Sequence, residues 1–393
     1  MHAETKRAAF PRFYFVSDST LLEILSLGSN PASVVRHLQS GLFDSISNVT
    51  FDPEDTFKIT EIWSREGECV PLDNPVEARG PVEEWLQRLV NEMQDTMRSL
   101  IREAAADAME AAHSEEIQDI GEFVFGRPAQ AALLGLQLWW SEESRLAVHA
   151  ASRNEKGALQ RVSKRSGSVL RALVEQAMRS DLTKLQRTSL ETCITVYMHQ
   201  KEASEELVRN RVRDLKDFNW LKNCRVTWQD DKNTVVISIC DVDLEYSYEY
   251  LGVKERLVIT PLTDVCYITL TQALGMYLGG APAGPAGTGK TETTKDLGAT
   301  LGKYVVVFNC SDQMDHHGMG KIFKGLAQSG LWGCFDEFNR INLDVLSVCS
   351  QQIHCVLNAV REGRKSFTFT DGSVVPLDPR VGIFITMNPG YVA

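Results

Sequence analysis

Residues 284–291 read Gly284-Pro285-Ala286-Gly287-Thr288-Gly289-Lys290-Thr291 and decide the fold of this chain. They satisfy the pattern G-x-x-x-x-G-K-[ST], in which glycines let the backbone curl so that successive N–H groups point at phosphate oxygens. A helical pattern begins at Lys290, and the positive end of a helix there adds to the attraction for phosphate. The pattern predicts that Lys290 reaches the terminal phosphates and that the Thr291 hydroxyl binds Mg²⁺. The alternative is an ordinary glycine-rich turn, so the surrounding sequence has to decide.

An acidic pair follows downstream at the end of an apolar run. Residues 331–335 (LWGCF) have the character of a buried strand, and Asp336 and Glu337 come directly after it. A strand that ends in two acids is the second half of a P-loop nucleotide-hydrolysing site. Asp336 is expected to hold Mg²⁺ through its water shell, and Glu337 to orient the attacking water. A strand that ends in a solvated turn is the alternative, and the upstream phosphate loop makes it the weaker one.

A second apolar run carries a polar residue at the corresponding end. Residues 381–386 (VGIFIT) precede Met387 and Asn388. An amide beside the acidic pair could contact both the terminal phosphate and the attacking water. Asn388 is followed by Pro389 and Gly390, which is also a plain turn signal, so its order after the other two motifs carries the argument.

Short apolar runs alternate with helical patterns through the second part of the chain. Continuous apolar runs separated by helices are typical of buried parallel strands. The sequence therefore predicts an α/β domain with a mostly parallel sheet. The expected strands are 304–308, 331–335 and 381–386, and the expected helices are 316–329 and 343–362.

The part before residue 245 has a mostly helical pattern. Pro81 opens a long run with apolar residues at three-to-four spacing, and Asp181 is the expected cap of a later helix. No stretch there has the residue types or spacing of a catalytic site, so a helical scaffold is predicted. The expected helices are 81–112, 129–151, 167–181 and 183–199, and the expected strands are 13–16 and 235–239.

The composition limits the class of protein. The 393 residues include 41 basic and 52 acidic side chains, so the formal net charge is −11, and 43% of residues are hydrophobic. This balance is typical of a globular protein, and the acidic total argues against non-specific binding to nucleic acid or to anionic membranes. The nine cysteines lie singly, which favours reduced thiols in a cytosolic compartment. No apolar run is long enough to predict a membrane span.

At this point the motifs resemble a known family. Residues 284–297 (GPAGTGKTETTKDL), 320–342 (GKIFKGLAQSGLWGCFDEFNRIN) and 383–391 (IFITMNPGY) are similar to the first AAA+ module of dynein heavy chains. Residues 250–263 resemble the segment that leads into that module. Residues 10–25 and 64–68 resemble the C-terminal part of the dynein linker. Residues 10–18 (FPRFYFVSD) and the sequence around residues 376–380 are more similar to axonemal than to cytoplasmic heavy chains.

The resemblance implies a fold and a site. The implied fold is an α/β P-loop NTPase (AAA+) large subdomain with a parallel sheet at 246–393, preceded by a mostly α-helical linker portion at 1–245. In dyneins this module is the principal site of ATP hydrolysis, and the implied cofactors are ATP and Mg²⁺. The implied catalytic residues are Lys290, Glu337 (Walker B) and Asn388 (sensor 1), and the implied metal ligands are Thr291 and Asp336. The implied nucleotide-binding residues are Gly284, Pro285, Ala286, Gly287, Thr288, Gly289, Lys290, Thr291 and Glu292, with Pro261 and Leu262 beside the adenine.

The resemblance also implies partners and a location. The expected partners are microtubules, reached through parts outside this chain, together with intermediate and light chains and the neighbouring AAA+ modules. Neither nucleic acid nor a membrane is expected as a partner, and the expected location is the cytoskeleton of the cytoplasm and the ciliary or flagellar axoneme. Val265 stands where the family usually has arginine, which puts a charge contact from that position in doubt.

Because the chain ends at Ala393, before a lid or a neighbouring module, we expect a fragment truncated after the sensor-1 strand. The main function expected for its parent is hydrolysis of Mg-ATP coupled to linker movement, for minus-end-directed motility. Two alternatives stay open: a nucleotide-binding or structural piece with negligible turnover, and another AAA+ ring ATPase.

Overall fold

A computed structural model describes residues 2–114 and 119–388. The chain divides into two compact units, each built from separated stretches of sequence. The first unit contains residues up to Ile62, residues 74–92 and residues from Thr269 onward, and the second contains residues 63–73 and 93–268. The domain boundary near residue 245 stays a prediction.

The described residues form helices and strands throughout. The α-helices are α1 (His2–Ala9), α2 (Asp18–Ser26), α3 (Pro31–Val34), α4 (Val82–His113), α5 (Ile120–Phe125), α6 (Ala129–Ser152), α7 (Ala158–Ala177), α8 (Lys184–Arg209), α9 (Phe218–Leu221), α10 (Pro261–Gly275), α11 (Lys290–Thr300), α12 (His316–Ser329) and α13 (Leu343–Arg361). The strands are β1 (Ile46–Phe51), β2 (Lys58–Ser64), β3 (Cys69–Glu77), β4 (Arg225–Gln229), β5 (Thr234–Ile239), β6 (Val242–Glu245), β7 (Val305–Asn309), β8 (Trp332–Asp336), β9 (Ser366–Thr368), β10 (Val374–Pro376) and β11 (Gly382–Ile385).

The first unit contains the predicted parallel sheet. Its strand order is β11-β8-β7, and both pairings are parallel. Parallel bridges from Gly280 to Phe384 and from Ala283 to Met387 add the segment before the phosphate loop to the free side of β11. The strands predicted at 304–308, 331–335 and 381–386 are confirmed, each to within two residues at either end.

Helices surround this sheet where the alternating pattern predicted them. Helix α12 coincides with the predicted 316–329, α13 matches 343–362, and α11 begins at Lys290. The apolar faces of α12 and α13 join the strands in one buried core that includes Phe323, Phe335 and Val356. The antiparallel hairpin β9–β10, which precedes β11, was not predicted because its strands have only three residues each.

The strand expected at residues 13–16 is wrong. Residues Pro11–Phe15 form a 3₁₀ helix, with the proline in its first turn. The physical reason is visible in the burial, since Phe10, Phe13 and Tyr14 are all buried, and these positions have helical spacing. This turn lies against α12, where a Cβ added at Gly325 would stand 2.5 Å from the Cβ of Tyr14.

The second unit is built on helices α5 to α8 and one small sheet. Strands β4, β5 and β6 pair antiparallel in chain order, and β5 confirms the strand predicted at 235–239. The helices expected at 129–151, 167–181 and 183–199 are present as α6, α7 and α8, although α7 begins at Ala158 and α8 continues to Arg209. The β-content before residue 245 is larger than predicted, because β1 to β4 and β6 were not foreseen.

The prediction that Asp181 caps helix α8 is wrong. Thr183 is the N-cap residue: its hydroxyl accepts from the Gln186 backbone N–H at 3.2 Å, and the Gln186 side chain accepts from the Thr183 N–H at 3.0 Å. This reciprocal pair is a capping box. Asp181 instead pairs with Arg179 at 2.6 Å, outside the helix.

Glu68 ties distant parts of the second unit together. The carboxylate is buried, accepts a 2.7 Å hydrogen bond from the Ala129 N–H, and accepts a 2.6 Å bond from the Tyr250 hydroxyl. Burial raises the pKa of Glu68, while the two donated bonds act against that rise. Glu68 thus caps the start of α6, which has no side-chain cap of its own, and holds the segment that follows β6.

Within residues 2–114 and 119–388, none of the helices has the length and apolarity needed to cross a membrane. The same residues contain no cluster of three or more His, Cys, Asp or Glu side chains arranged to hold a metal ion. All nine cysteines carry free thiols.

Candidate nucleotide-binding site

The candidate site lies at the carboxyl edge of the parallel sheet in the first unit. Because β8 lies between β7 and β11, the ends of three strands meet there. Asn309 ends β7, Asp336 ends β8, and Asn388 lies just beyond β11. All three line an open cleft of about 410 Å³, together with Glu337. Ligands of open α/β sheets bind at this edge, so the cleft is in the position that the motifs predicted.

The phosphate loop forms one wall of this cleft. Gly287 and Gly289 have φ values of 76° and 78°, in the left-handed region that favours glycine, and a Cβ added at either would meet nothing within 4 Å. Gly289 is the N-cap of α11, whose first backbone N–H groups therefore face the cleft without a side-chain cap. A helix start of this kind attracts anions.

Lys290 connects the loop to the sheet. Its ammonium donates to the carbonyl oxygens of Gly284 and Pro285 at 2.9 and 2.7 Å, and to Oδ1 of Asn388 at 2.8 Å. The Thr288 hydroxyl donates to the same Pro285 carbonyl at 2.9 Å. The loop is therefore closed on itself, with its one lysine ammonium held at the cleft.

Asn388 bridges Lys290 to the predicted catalytic acid. While its oxygen accepts from Lys290, its Nδ2 donates to Oε1 of Glu337 at 3.2 Å. The other carboxylate oxygen of Glu337 accepts from Arg340 at 2.6 Å. Glu337 itself has a left-handed backbone, with φ of 52°. Such a conformation is uncommon for a residue with a side chain and is often found at functional sites.

Asp336 is held by two hydroxyl groups. Thr291 donates to its Oδ1 at 2.6 Å, and Thr386 donates to the same oxygen. Burial acts to raise the pKa of Asp336, but these hydrogen bonds, the N–H of Glu337 and the charge of Lys290 outweigh it, so the net pKa is lowered. Asp336 is therefore poised as a carboxylate.

The donors present fit a magnesium–phosphate group. The Thr291 hydroxyl and the Asp336 carboxylate are oxygen ligands whose oxygens lie 2.6 Å apart, next to the ammonium of Lys290. Mg²⁺ prefers such oxygens and is usually bound by one or two protein ligands, with water and substrate phosphates completing its shell. Two protein oxygens beside a phosphate loop are therefore a sufficient set.

Most of the predicted site residues meet in this cleft. The predicted residues that line it are Ala286, Gly287, Gly289, Lys290, Thr291, Glu292, Asp336, Glu337 and Asn388. Gly284, Pro285 and Thr288 belong to the same loop and bond within it. Pro261 and Leu262 begin α10 in the second unit, where Leu262 is 74% exposed, and their place beside adenine stays a prediction.

Several residues of the site were missed by sequence reasoning. The cleft is also lined by Lys295, Val307 and Asn309, while Arg340 and Thr386 contact the acidic pair. Asn309 could have been found, because it ends a predicted strand in the same way as Asp336. Lys295 lies five residues after Lys290 on α11 and pairs with Glu292 at 2.9 Å, a contact that helical spacing also predicts.

Two family models match the chain. Residues 246–393 match the family described as the hydrolytic ATP binding site of the dynein motor region. Residues 2–104 match the family described as dynein heavy chain, N-terminal region 2.

Curated relatives align along nearly the whole chain. The dynein gamma chain of the flagellar outer arm from Chlamydomonas reinhardtii is 61% identical over 390 residues, which are 99% of this chain and 8% of that protein. Dynein axonemal heavy chain 5 from Rattus norvegicus is 50% identical over 390 residues, 99% of this chain and 11% of the relative. The ciliary dynein beta chain from Heliocidaris crassispina is 46% identical over 394 residues, again 99% of this chain and 9% of the relative.

The chain thus spans about a tenth of the length of the relatives it matches. Both family models describe dynein heavy chains, and their two matched regions include the phosphate loop, the acidic pair and the first α-helices. Since 99% of its residues align with axonemal heavy chains at 46–61% identity, this chain belongs to the dynein heavy chain family.

Proposed function

We propose that this chain is the ATP-binding and ATP-hydrolysing region of an axonemal motor subunit, which couples hydrolysis of Mg-ATP to movement of a linker. One observation carries the proposal: Lys290, Asn388 and Glu337 form a continuous hydrogen-bonded chain across the cleft, next to the Thr291–Asp336 pair. A phosphate-binding cation, a metal-binding pair and a candidate base are thereby within reach of one ligand.

Each residue has a role that follows from its atoms. The N–H groups of the loop and Lys290 bind the phosphates. Thr291 and Asp336 hold Mg²⁺, which neutralises phosphate charge when it is bound. Glu337 accepts a proton from the attacking water, and Asn388 orients both Glu337 and the terminal phosphate. Pro261 and Leu262 provide apolar contact to the adenine.

Residues 1–245 are proposed to be the C-terminal portion of the linker, and residues 246–393 the large subdomain of the first AAA+ module. The family match that begins at residue 246 supports this division. The names of the relatives refer to the flagellar outer arm, cilia and axonemes. We accordingly propose the ciliary or flagellar axoneme as the location and minus-end-directed microtubule motility as the activity of the whole protein. Its proposed partners are microtubules, intermediate and light chains, and neighbouring AAA+ modules.

Calorimetric titration with Mg-ATP tests the nucleotide site, with phosphate release measured on the same samples. We expect the chain to bind Mg-ATP and Lys290→Ala to lose that binding. Lys321→Ala is the matched control, because it removes a lysine of the same unit whose ammonium lies 3.9 Å from the Asp18 carboxylate and which does not line the cleft. Absence of binding by the unsubstituted chain, while it is folded by circular dichroism, would refute the proposal.

Phosphate release separates hydrolysis from binding alone. An arginine supplied by a neighbouring module contributes about 10³–10⁵ in turnover in nucleotide-hydrolysing enzymes that use one. We therefore expect slow release from this chain, abolished in Glu337→Gln. Binding with no release that depends on Glu337 would favour the second candidate, a nucleotide-binding piece without turnover.

A further inference from the structure

Thr386 is the most enclosed polar residue next to the acidic pair. Thr386 is 1% exposed and lies two positions before Asn388 on the chain segment that continues β11. Alternate residues of an extended segment face the same side, so Thr386 and Asn388 both face the end of β8. Unlike Asn388, Thr386 does not line the cleft.

The hydroxyl of Thr386 uses its donor and an acceptor on two neighbouring residues. It donates to Oδ1 of Asp336 and accepts from the backbone N–H of Glu337 at 3.1 Å. The backbone of Thr386 adds two more bonds on either side of the pair, since its N–H donates to the Phe335 carbonyl at 2.9 Å and its carbonyl accepts from the Phe338 N–H at 3.0 Å. A single residue therefore spans residues 335–338.

We propose that Thr386 is a positioning residue of the nucleotide site, which holds the Asp336 carboxylate and the Glu337 backbone in their working arrangement. The inference rests on the proposed function, because it concerns the residues that would hold Mg²⁺ and activate water. It does not make Thr386 a catalytic residue, since its hydroxyl is behind the acids and not in the cleft.

Two features favour positioning over simple packing. First, Oδ1 of Asp336 accepts hydrogen bonds from the hydroxyls of Thr291 and Thr386. Thr291 is a proposed metal ligand, so its hydroxyl would bind Mg²⁺, whereas the hydroxyl of Thr386 would continue to hold Asp336. Second, Glu337 has a left-handed backbone, which is strained for a residue with a side chain and persists only where neighbouring groups hold it. The hydroxyl of Thr386 is one of the groups that hold it.

Substitutions at Thr386 test the inference through nucleotide binding. The affinity of the chain for a fluorescent N-methylanthraniloyl ADP is measured in Mg²⁺ and in EDTA, and the ratio gives the gain that Mg²⁺ provides. Thr386→Val keeps the shape and removes the hydroxyl, whereas Thr386→Ser keeps the hydroxyl. Thr300→Val is the matched control, because that buried threonine is also in the first unit, donates to the Asp296 carbonyl at 2.9 Å one turn earlier on α11, and does not line the cleft.

We expect Thr386→Val to keep its affinity in EDTA and to lose roughly tenfold or more of the Mg²⁺ gain, because a hydrogen bond to a charged group has about that effect. Thr386→Ser should restore the gain, and Thr300→Val should leave both affinities unchanged. Equal loss in Mg²⁺ and in EDTA would reveal a structural role and overturn the inference, as would an undiminished gain in Thr386→Val or a serine variant as weak as the valine variant. No binding by the unsubstituted chain would refute the proposed function itself, and the inference with it.

Discussion

Replacement of Glu143 by glutamine should stabilise the second unit near neutral pH. Glu143 lies on α6 and is 7% exposed, and its buried Oε2 has no hydrogen-bond partner among the residues that the structure describes. Oε1 lies 3.5 Å from Nε of Arg165, which is a loose ion pair. Burial raises the pKa of Glu143 from 4.5 to about 7, and the charge of Arg165 only partly offsets that rise. At neutral pH the charged carboxylate therefore lowers the free energy of unfolding.

The sign and size of the effect follow from proton linkage. A carboxyl group with a raised native pKa binds its proton more tightly when folded, so between pH 4.5 and 7 the free energy of unfolding falls as pH rises. The slope is about 1.4 kcal/mol per pH unit, so the total over this interval is about 3 kcal/mol. Glu143→Gln removes the titrating group and keeps its shape. The variant should exceed the stability of the unsubstituted chain by about 1 kcal/mol at pH 5 and by about 3 kcal/mol at pH 8.

Urea unfolding at pH 5, 6, 7 and 8 measures this difference, with hydrogen exchange of α6 and α7 amides to locate it in the second unit. Glu142→Gln is the control, since it removes the neighbouring ion pair with Arg145 at 2.7 Å but no buried carboxylate. Arg165 keeps its bonds to the Ser114 and Ala111 carbonyls at 2.5 and 2.8 Å in either variant. If Glu143→Gln were less stable than the unsubstituted chain at pH 8, the buried ion pair with Arg165 would be favourable and the reasoning wrong.

Three further substitutions test other contacts. Gly325→Ala should destabilise the first unit by about 1–3 kcal/mol in thermal unfolding, because the new Cβ would stand 2.5 Å from the Cβ of Tyr14; an unchanged midpoint would contradict the close approach. Thr183→Ala should cost about 1 kcal/mol and raise amide exchange at the start of α8, with Thr188→Ala in the helix interior as its control; equal effects would remove the capping box from the argument. Burial acts to raise the pKa of Asp371, but Lys324 and hydrogen bonds from Ser373 lower it to about 2. The charged form of Asp371 therefore stabilises the fold above pH 3.8, and this stabilisation is lost as the pH falls through about 2. Asp371→Asn should therefore narrow the difference in stability between pH 5 and pH 2, and an unaltered acid unfolding curve would argue against the shift.

Local patterns predicted the backbone of the first unit well. The helix at 316–329 and the strand near 305–309 follow from apolar spacing, which records the side that each element buries. The same rule failed at residues 13–16, where four consecutive apolar residues suggested a strand. Pro11 and the burial of Phe10, Phe13 and Tyr14 show a helical turn, and a run so short fits both periods.

The N-terminal strands were missed for a related reason. Strand β3 contains prolines at 71 and 75, and β2 buries only positions 59, 62 and 64 of its seven residues, so neither strand has a continuous apolar run. Edge strands and half-exposed strands lack the continuous apolar run that marks a buried parallel strand. The choice between Asp181 and Thr183 as helix cap could not be made from residue type, because both types cap helices. The backbone position of Thr183 at the helix start decides in its favour.

The phosphate loop, the acidic pair and the order of strands and helices around them could be predicted from the amino-acid sequence alone. These features are local: glycines, a lysine and a helix start within eight residues predict a phosphate-binding loop where a strand with two acids follows downstream. Which side chains meet across the sheet could be seen only once the chain was folded. Lys290 and Asn388 are 98 positions apart, and Asp336 and Thr386 are 50 apart. Asp336 and Thr386 meet because β8 and β11 are parallel neighbours whose ends share one edge. Lys290 reaches Asn388 because the segment before the phosphate loop forms bridges at residues 280 and 283 to the segment of β11. Both pairings depend on burial of whole elements, which no short motif encodes.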